Sequence, residues 1–181
     1  AETTFDNIQI YYCGYTNTKS IIDDIAINDT NGAVDNSWAG DGHIIAIKPN
    51  ATGDQSDLLG SDENSVNNFE MVDDIPLDND TTYVWSDVAT EFDLYELTAP
   101  GLPVNHRIER VWSEARAKDI DAGNIKLIIK PGSTVYKDAT ATTLGLNYDA
   151  VKGDERLTNP DDSEAWKEAD LNDLQTGIEI Q

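Results

Sequence analysis

The sequence predicts an all-β fold: an antiparallel β-sandwich, jelly-roll-like, with one short C-terminal helix and an N-terminal β-hairpin arm. Three observations carry that expectation. Short runs alternate apolar and polar residues, the period of a half-buried strand. These runs recur roughly every 8–12 residues, between clusters of Asn, Asp, Gly and Pro. The stretch Arg107 to Thr134 contains two runs rich in Ile, Val and Leu around Asp121-Ala122-Gly123, the pattern of a hairpin.

The elements follow in order. Phe5 to Tyr12 alternates, with Ile8, Ile10 and Tyr12 on one face. Cys13 to Thr18 is turn-like. Ser20 to Asn28 is a second strand in which Ile21, Asp23, Ile25 and Ile27 share a face. A lone two-stranded unit is marginal in water. Ile8, Ile10, Tyr12, Ile21, Ile25 and Ile27 are therefore expected to form an assembly contact, on this chain's own sandwich or on a neighbouring subunit. Asp29 to Gly42 is rich in Asn, Asp and Gly and reads as a linker. The predicted division is an arm over 1–30, a linker over 31–42 and a sandwich domain over 43–181.

Within the sandwich, His43 to Pro49 reads as a strand that Pro49 ends. Asn50 to Asn68 has few large apolar residues beyond Leu58 and Leu59 and reads as a long surface loop. Phe69 to Val72 reads as a short strand before the acidic segment Asp73 to Asp80. Thr81 to Ser86 and Phe92 to Leu97 read as strands. In the central hairpin Val111, Ser113, Ala115 and Ala117 make a small-residue face, which implies a second layer packed close above it. Ile108, Arg110, Trp112, Glu114 and Arg116 make the other face. Ile125, Leu127 and Ile129 form an apolar face; Lys126, Ile128 and Lys130 form a mostly solvated one. Val135-Tyr136 restarts a strand, and weaker signals lie at Tyr148 to Val151 and Arg156-Leu157. Asn159 to Ser163 opens a helical piece capped by Asp162 or Ser163. Trp166, Leu171 and Leu174 turn inward, Gly177 ends the helix, and Ile178 to Ile180 closes the sheet.

The 181 residues suffice for one good core. Their 35 Asp and Glu against 12 Lys and Arg give a net charge of −23. Phosphate and anionic lipid headgroups are held by basic clusters, so neither nucleic acid nor membrane is an expected partner. Cys13 is the single cysteine, which excludes an internal disulfide. No run approaches the roughly 20 apolar residues of a membrane helix, and no basic-then-apolar signal peptide opens the chain.

No nucleophile elbow, zinc-protease, P-loop or dinucleotide motif is present, so no catalytic residue is singled out and no enzyme is expected. Asp73, Asp74, Asp78 and Asp80 offer hard oxygen ligands suited to calcium, the one candidate cofactor. Asp119, Asp121 and Gly123 form a weaker candidate. Neither stretch has the EF-hand pattern, and Asp in turns also serves to cap backbone amides. Trp38 and Trp112 are candidate platforms for a glycan, although a core or interface role is commoner for a lone Trp.

Several segments together resemble bacteriophage virion structural proteins, in which a concanavalin-like jelly roll is followed by a second β-sandwich. Ile22-Asp23-Asp24-Ile25-Ala26-Ile27-Asn28-Asp29 and Asn36-Ser37-Trp38 with Gly40-Asp41-Gly42 resemble the junction between the two domains. Pro49-Asn50, Gly53-Asp54, Thr82-Tyr83-Val84, Asp93-Leu94-Tyr95 and Ala115-Arg116 with Lys118-Asp119 resemble the second sandwich. Asn159-Pro160-Asp161, Trp166, Ala169 to Asn172, Leu174 and Gly177 resemble its close. The chain lacks nearly all of the upstream jelly roll. The resemblance implies a non-enzymatic protein of the virion surface: a capsid decoration, fibre or tail component that binds other virion proteins and itself. The rival expectation is a carbohydrate-binding β-sandwich, with calcium as a candidate ligand.

Overall fold

The computed structural model describes residues 44–102 and 106–181, and the unit they build spans Ile45–Gln181. The predicted arm and linker lie outside the described residues. The fold is an all-β sandwich with antiparallel sheets and one short helix. Its strands are β1 (Pro49–Ser56), β2 (Leu59–Gly60), β3 (Val84–Trp85), β4 (Phe92–Leu97), β5 (Glu114–Ala117), β6 (Asn124–Lys130), β7 (Tyr136–Lys137), β8 (Thr142–Thr143), β9 (Asp149–Lys152) and β10 (Gln175–Ile180). The helix α1 spans Glu168–Asn172. The main sheet runs β1-β4-β10-β6-β7, and β8 also pairs with β6. Two ribbons stand apart from it, β2–β3 and β5–β9.

One face of the main sheet carries the two hydrophobic clusters of the core. Ile125, Leu127 and Ile129 of β6 point to it, as the alternation predicts, each buried. Ile125 and Leu127 join Leu144 and Val151, with Ala115, Ala117, Ile178 and Ile180 packed against them. The small residues of β5 thus let the β5–β9 ribbon lie close over the sheet. Ile129 joins Trp166, Leu171 and Leu174, with Leu97, Leu102, Ile108, Val111 and Tyr136 around them. The segment that ends in α1 covers this second half. Each fully buried Ile or Leu contributes roughly 1.5–3 kcal/mol relative to exposure, so these two clusters are the main source of stability.

The structure corrects several local expectations. The predicted central hairpin does not form. β5 pairs with β9, whereas β6 pairs with β10, β7 and β8. The chain changes layers between Ala117 and Asn124, and the turn is held by Asp119 N to Gly145 O (2.9 Å) and Leu144 N to Gly123 O (2.9 Å). The small face of β5 is worth more packed over β6 than hydrogen-bonded beside it. Residues 44–48 are not a strand; the strand begins at Pro49 and continues to Ser56, through part of the expected loop. β1 is an edge strand, so Pro49 can open it and its side chains need not be apolar. Phe69 to Val72 is not a strand: residues Asn68–Met71 form a 3-10 turn. Ile128 is fully buried rather than solvated. Helix α1 is capped not by Asp162 or Ser163 but by Asp170, which accepts from Lys167 N at 2.8 Å.

Gly177 does not end the helix. It lies in β10, at the centre of the sheet, opposite Leu94 on one side and Ile128 on the other. A Cβ there would sit 1.9 Å from the carbonyl oxygen of Asp93. Gly177→Ala is expected to cost about 3 kcal/mol, the upper end for forced overpacking, read as a lower midpoint in urea unfolding. An unchanged midpoint would show that β4 and β10 can separate freely.

A buried polar network ties the long β1–β4 connection to β4. Asp93 is fully buried; its carboxylate accepts from Leu58 N (2.8 Å), Asn68 Nδ2 (2.6 Å) and the Tyr95 hydroxyl (2.9 Å). Asn68 Nδ2 also donates to Leu58 O (2.8 Å). Burial pushes the Asp93 carboxyl above its ordinary value, against the opposing pull of these hydrogen bonds. The native state therefore keeps this proton at a pH where the unfolded chain has lost it. The resulting stabilisation is complete below the ordinary value of 3.8 and is lost as pH rises through the raised native value. The stability of the wild type relative to Asp93→Asn should thus fall from pH 3.8 upward. Urea titrations across that window test this; a pH-independent difference would rule out the linkage.

Candidate interaction surface

The excursion between the 3-10 turn and β4 is acidic and tightly closed. Lys48 Nζ donates to the Asp73 carboxylate (3.0 Å) and to its backbone oxygen (2.8 Å). Asp74 Oδ2 and Asp78 Oδ2 lie 2.8 and 2.9 Å from the Thr82 hydroxyl, and Asp78 Oδ1 accepts from Thr82 N at 3.2 Å. Short Asp side chains close such loops by bonding backbone and hydroxyl donors a few residues on. Between those anchors Ile75 is 77 % and Leu77 is 51 % exposed. The returning chain alternates into β3, with Tyr83 and Trp85 outward and Val84 less exposed, and Val88 follows in the open. The result is a loop closed by side-chain hydrogen bonds that presents large apolar side chains to solvent.

Asp80 leaves this loop for the β5–β9 ribbon. It pairs with Lys118 and accepts from the Tyr148 hydroxyl at 3.1 Å. The Lys118 hydrogen bond, then that of Tyr148, holds the Asp80 carboxyl below its ordinary range. Asp80 in turn raises Lys118, whereas Tyr148 is raised first by its own burial and then by Asp80.

The four acidic residues proposed as calcium ligands therefore do not form one set. Asp73 and Asp80 face lysines, and only Asp74 and Asp78 converge. The two carboxylates and one hydroxyl that converge there are fewer than the roughly six to eight oxygens that calcium takes. Among the described residues no group of three or more His, Cys, Asp or Glu side chains is placed to hold a metal ion. Asp119 acts as a turn cap, its Oδ1 accepting from Asp121 N at 2.5 Å.

Trp112 lies on the outer face of the ribbon segment, as its alternation predicts, but it is not an open platform. Its indole N–H donates to Glu114 at 2.8 Å, and Lys152 Nζ sits 4.9 Å from the ring centre. Trp166 is buried, and its N–H donates to Arg156 O at 2.9 Å. Trp38 and the arm residues Ile8, Ile10, Tyr12, Ile21, Ile25 and Ile27 lie outside the described residues. Among the described residues the exposed tryptophan is Trp85, which sequence reasoning did not select. The alternation in Thr81 to Ser86 puts Tyr83 and Trp85 on one face but does not say which way that face points.

Comparison with protein-family models, with curated proteins and with solved structures returns no match.

The split ligand set has a measurable consequence. Millimolar calcium should shift the melting temperature no more than sodium at the same ionic strength, because a ligand stabilises only where it binds the native state. A rise specific to calcium, reversed by chelator and lost in Asp74→Asn, would show that the loop rearranges around a cation.

Proposed function

We propose that this protein is a non-enzymatic structural component of a bacteriophage virion, a capsid decoration, fibre or tail protein that works through protein–protein contacts. The observation that carries this reading is the closed loop that holds Ile75, Leu77, Tyr83 and Trp85 outward. Large apolar side chains on a hydrogen-bonded loop gain nothing from water, and such exposed sites mark contact surfaces. The sequence resemblance supplies the setting. The strong negative charge disfavours nucleic acid and anionic membranes as partners and leaves protein surfaces, including further copies of this chain. The arm of residues 1–30 is proposed as a second contact.

The test is incorporation. Purified particles should contain the protein at a fixed copy number, and an electron-microscopy map should place the sandwich on their surface with the 75–85 loop against a neighbour. Trp85→Asp with Ile75→Ser should leave the circular dichroism spectrum unchanged and reduce incorporation at least tenfold. Absence of the protein from purified particles would sink the reading. Saturable binding on a glycan array, abolished by Trp112→Ala, would replace it with the carbohydrate-binding alternative.

A further inference from the structure

One end of the sandwich gathers exposed apolar side chains from separate loops. The chain leaves β5 through Asp119 to Gly123 and approaches β9 through Leu144 to Tyr148. These two stretches lie side by side: Asp119 N donates to Gly145 O (2.9 Å) and Leu144 N to Gly123 O (2.9 Å). The residue after Asp119 is Ile120, 77 % exposed, and the residue after Gly145 is Leu146, 70 % exposed. The 75–85 loop is tied to the same end. Asp80 pairs with Lys118 and accepts from the Tyr148 hydroxyl. Exposed Leu77 thus lies three residues from a clasp that stands two residues from Ile120 and two from Leu146.

The charges around this end are mostly acidic. Lys118 is taken by Asp80 and Lys48 by Asp73, while Arg116 lies 5.9 Å from the Tyr148 ring centre. Asp74 and Asp78 meet the Thr82 hydroxyl, and Asp119 caps Asp121 N. None of these three, nor Asp121 or Asp149, forms an ion pair among the described residues. Of the cations near this end, Arg116 alone is left among the described residues to offset them.

We infer that this end docks a partner protein surface with an apolar centre and a rim rich in Lys or Arg. The exposed apolar groups on adjacent loops give the contact its area, and the uncompensated carboxylates select the charge of what meets them. A second copy of this chain, at a net charge of −23, would bring carboxylates to carboxylates. An anionic lipid surface is refused for the same reason. The clasp at Asp80 holds loop and ribbon together, so both apolar groups meet a partner at once. The inference rests on the reading of the 75–85 loop as a contact surface; it adds the ribbon turns and the chemistry of the partner, and it does not need the virion setting.

Fluorescence anisotropy of labelled helical peptides, titrated with the full chain, tests this. One peptide carries a Leu face and a Lys face, the second keeps the Leu face and replaces Lys by Glu, and the third keeps Lys and replaces Leu by Ser. At about 0.15 M salt, where screening beyond roughly 8 Å suppresses diffuse attraction, the Leu–Lys peptide should bind saturably and at least tenfold tighter than either control. Ile120→Ser with Leu146→Ser should weaken it at least tenfold. Leu157→Ser, which removes another exposed leucine beside the Val111–Arg156 bridge at the far end of the ribbon, should not. Asp121→Asn with Asp149→Asn should weaken binding, whereas Glu164→Gln with Glu168→Gln, an equal charge change near α1, should not. Circular dichroism of each variant should match the wild type; if the Ile120 and Leu146 pair alters it, the aspartate pair decides. Equal binding of the Leu–Lys and Ser–Lys peptides overturns the inference, as does equal loss in the site and control variants. Binding to phosphatidylcholine vesicles that is lost with Ile120 and Leu146 overturns it in favour of a lipid surface. The readout is peptide binding, so its failure leaves the particle-incorporation result standing on its own.

Discussion

The sheet depends on β10. The last strand of the chain runs between β4 and β6, paired antiparallel to both along its whole length. Without it the early strands β1 and β4 share no strand pairing with the later strands β6, β7 and β8. It joins them because Gly177 has no side chain at the point where the Asp93 carbonyl comes closest. It also adds Ile178 and Ile180 to the core on one face and buries Gln175 and Glu179 on the other. Both polar residues are matched: Gln175 Oε1 accepts from Asp54 N at 2.9 Å, and Glu179 pairs with Lys137. Because these partners are far apart in sequence, loop closure comes before any gain, the signature of a slow-folding topology.

The second layer follows from the same economy of space. A ribbon of two strands is not stable alone, and β5–β9 is held by what lies beneath it. Ala115 and Ala117 approach the sheet closely, Ser113 reaches the Thr176 hydroxyl at 2.7 Å, and Gly153 N donates to Ser113 O at 2.9 Å. The bridge between Val111 and Arg156 extends the ribbon toward the Trp166 cluster. One continuous set of contacts thus links the two halves of the core.

On the surface, the few cations are placed rather than scattered. Lys130 meets Asp54, Lys137 meets Glu179, Lys118 meets Asp80, and Arg110 and Lys152 both meet Glu155. The pairs at Asp54, Asp80 and Glu155 are open to solvent, which screens them, and contribute little to stability; Glu179, by contrast, is buried. Their effect is on shape: they pin loops and leave long acidic stretches uncompensated. In the proposed structural role, that pattern keeps copies apart over most approaches.

Local sequence determined what depends on period and side-chain size. Phe92 to Leu97 was legible as β4 with the same bounds, and the apolar face of Ile125, Leu127 and Ile129 was legible because a strand shows its neighbours on one face every second residue. The layer above Ala115 and Ala117 was legible for the same reason, and Trp166, Leu171 and Leu174 were legible as the large apolar residues of a polar helical segment. Pairing partners were not. Nothing in the sequence around Asp121 to Gly123 says that the two flanking runs belong to different sheets, because a turn and a layer change use the same Gly and Asp. β1 was hidden because an edge strand needs only its backbone bonds, and Gly177 looked like a stop signal because a central-strand glycine is explained only by the carbonyl that crowds it. The site was less legible still. Four nearby aspartates suggested one ligand set, and only tertiary structure could send Asp73 to Lys48 and Asp80 to Lys118, since those partners come from remote parts of the chain.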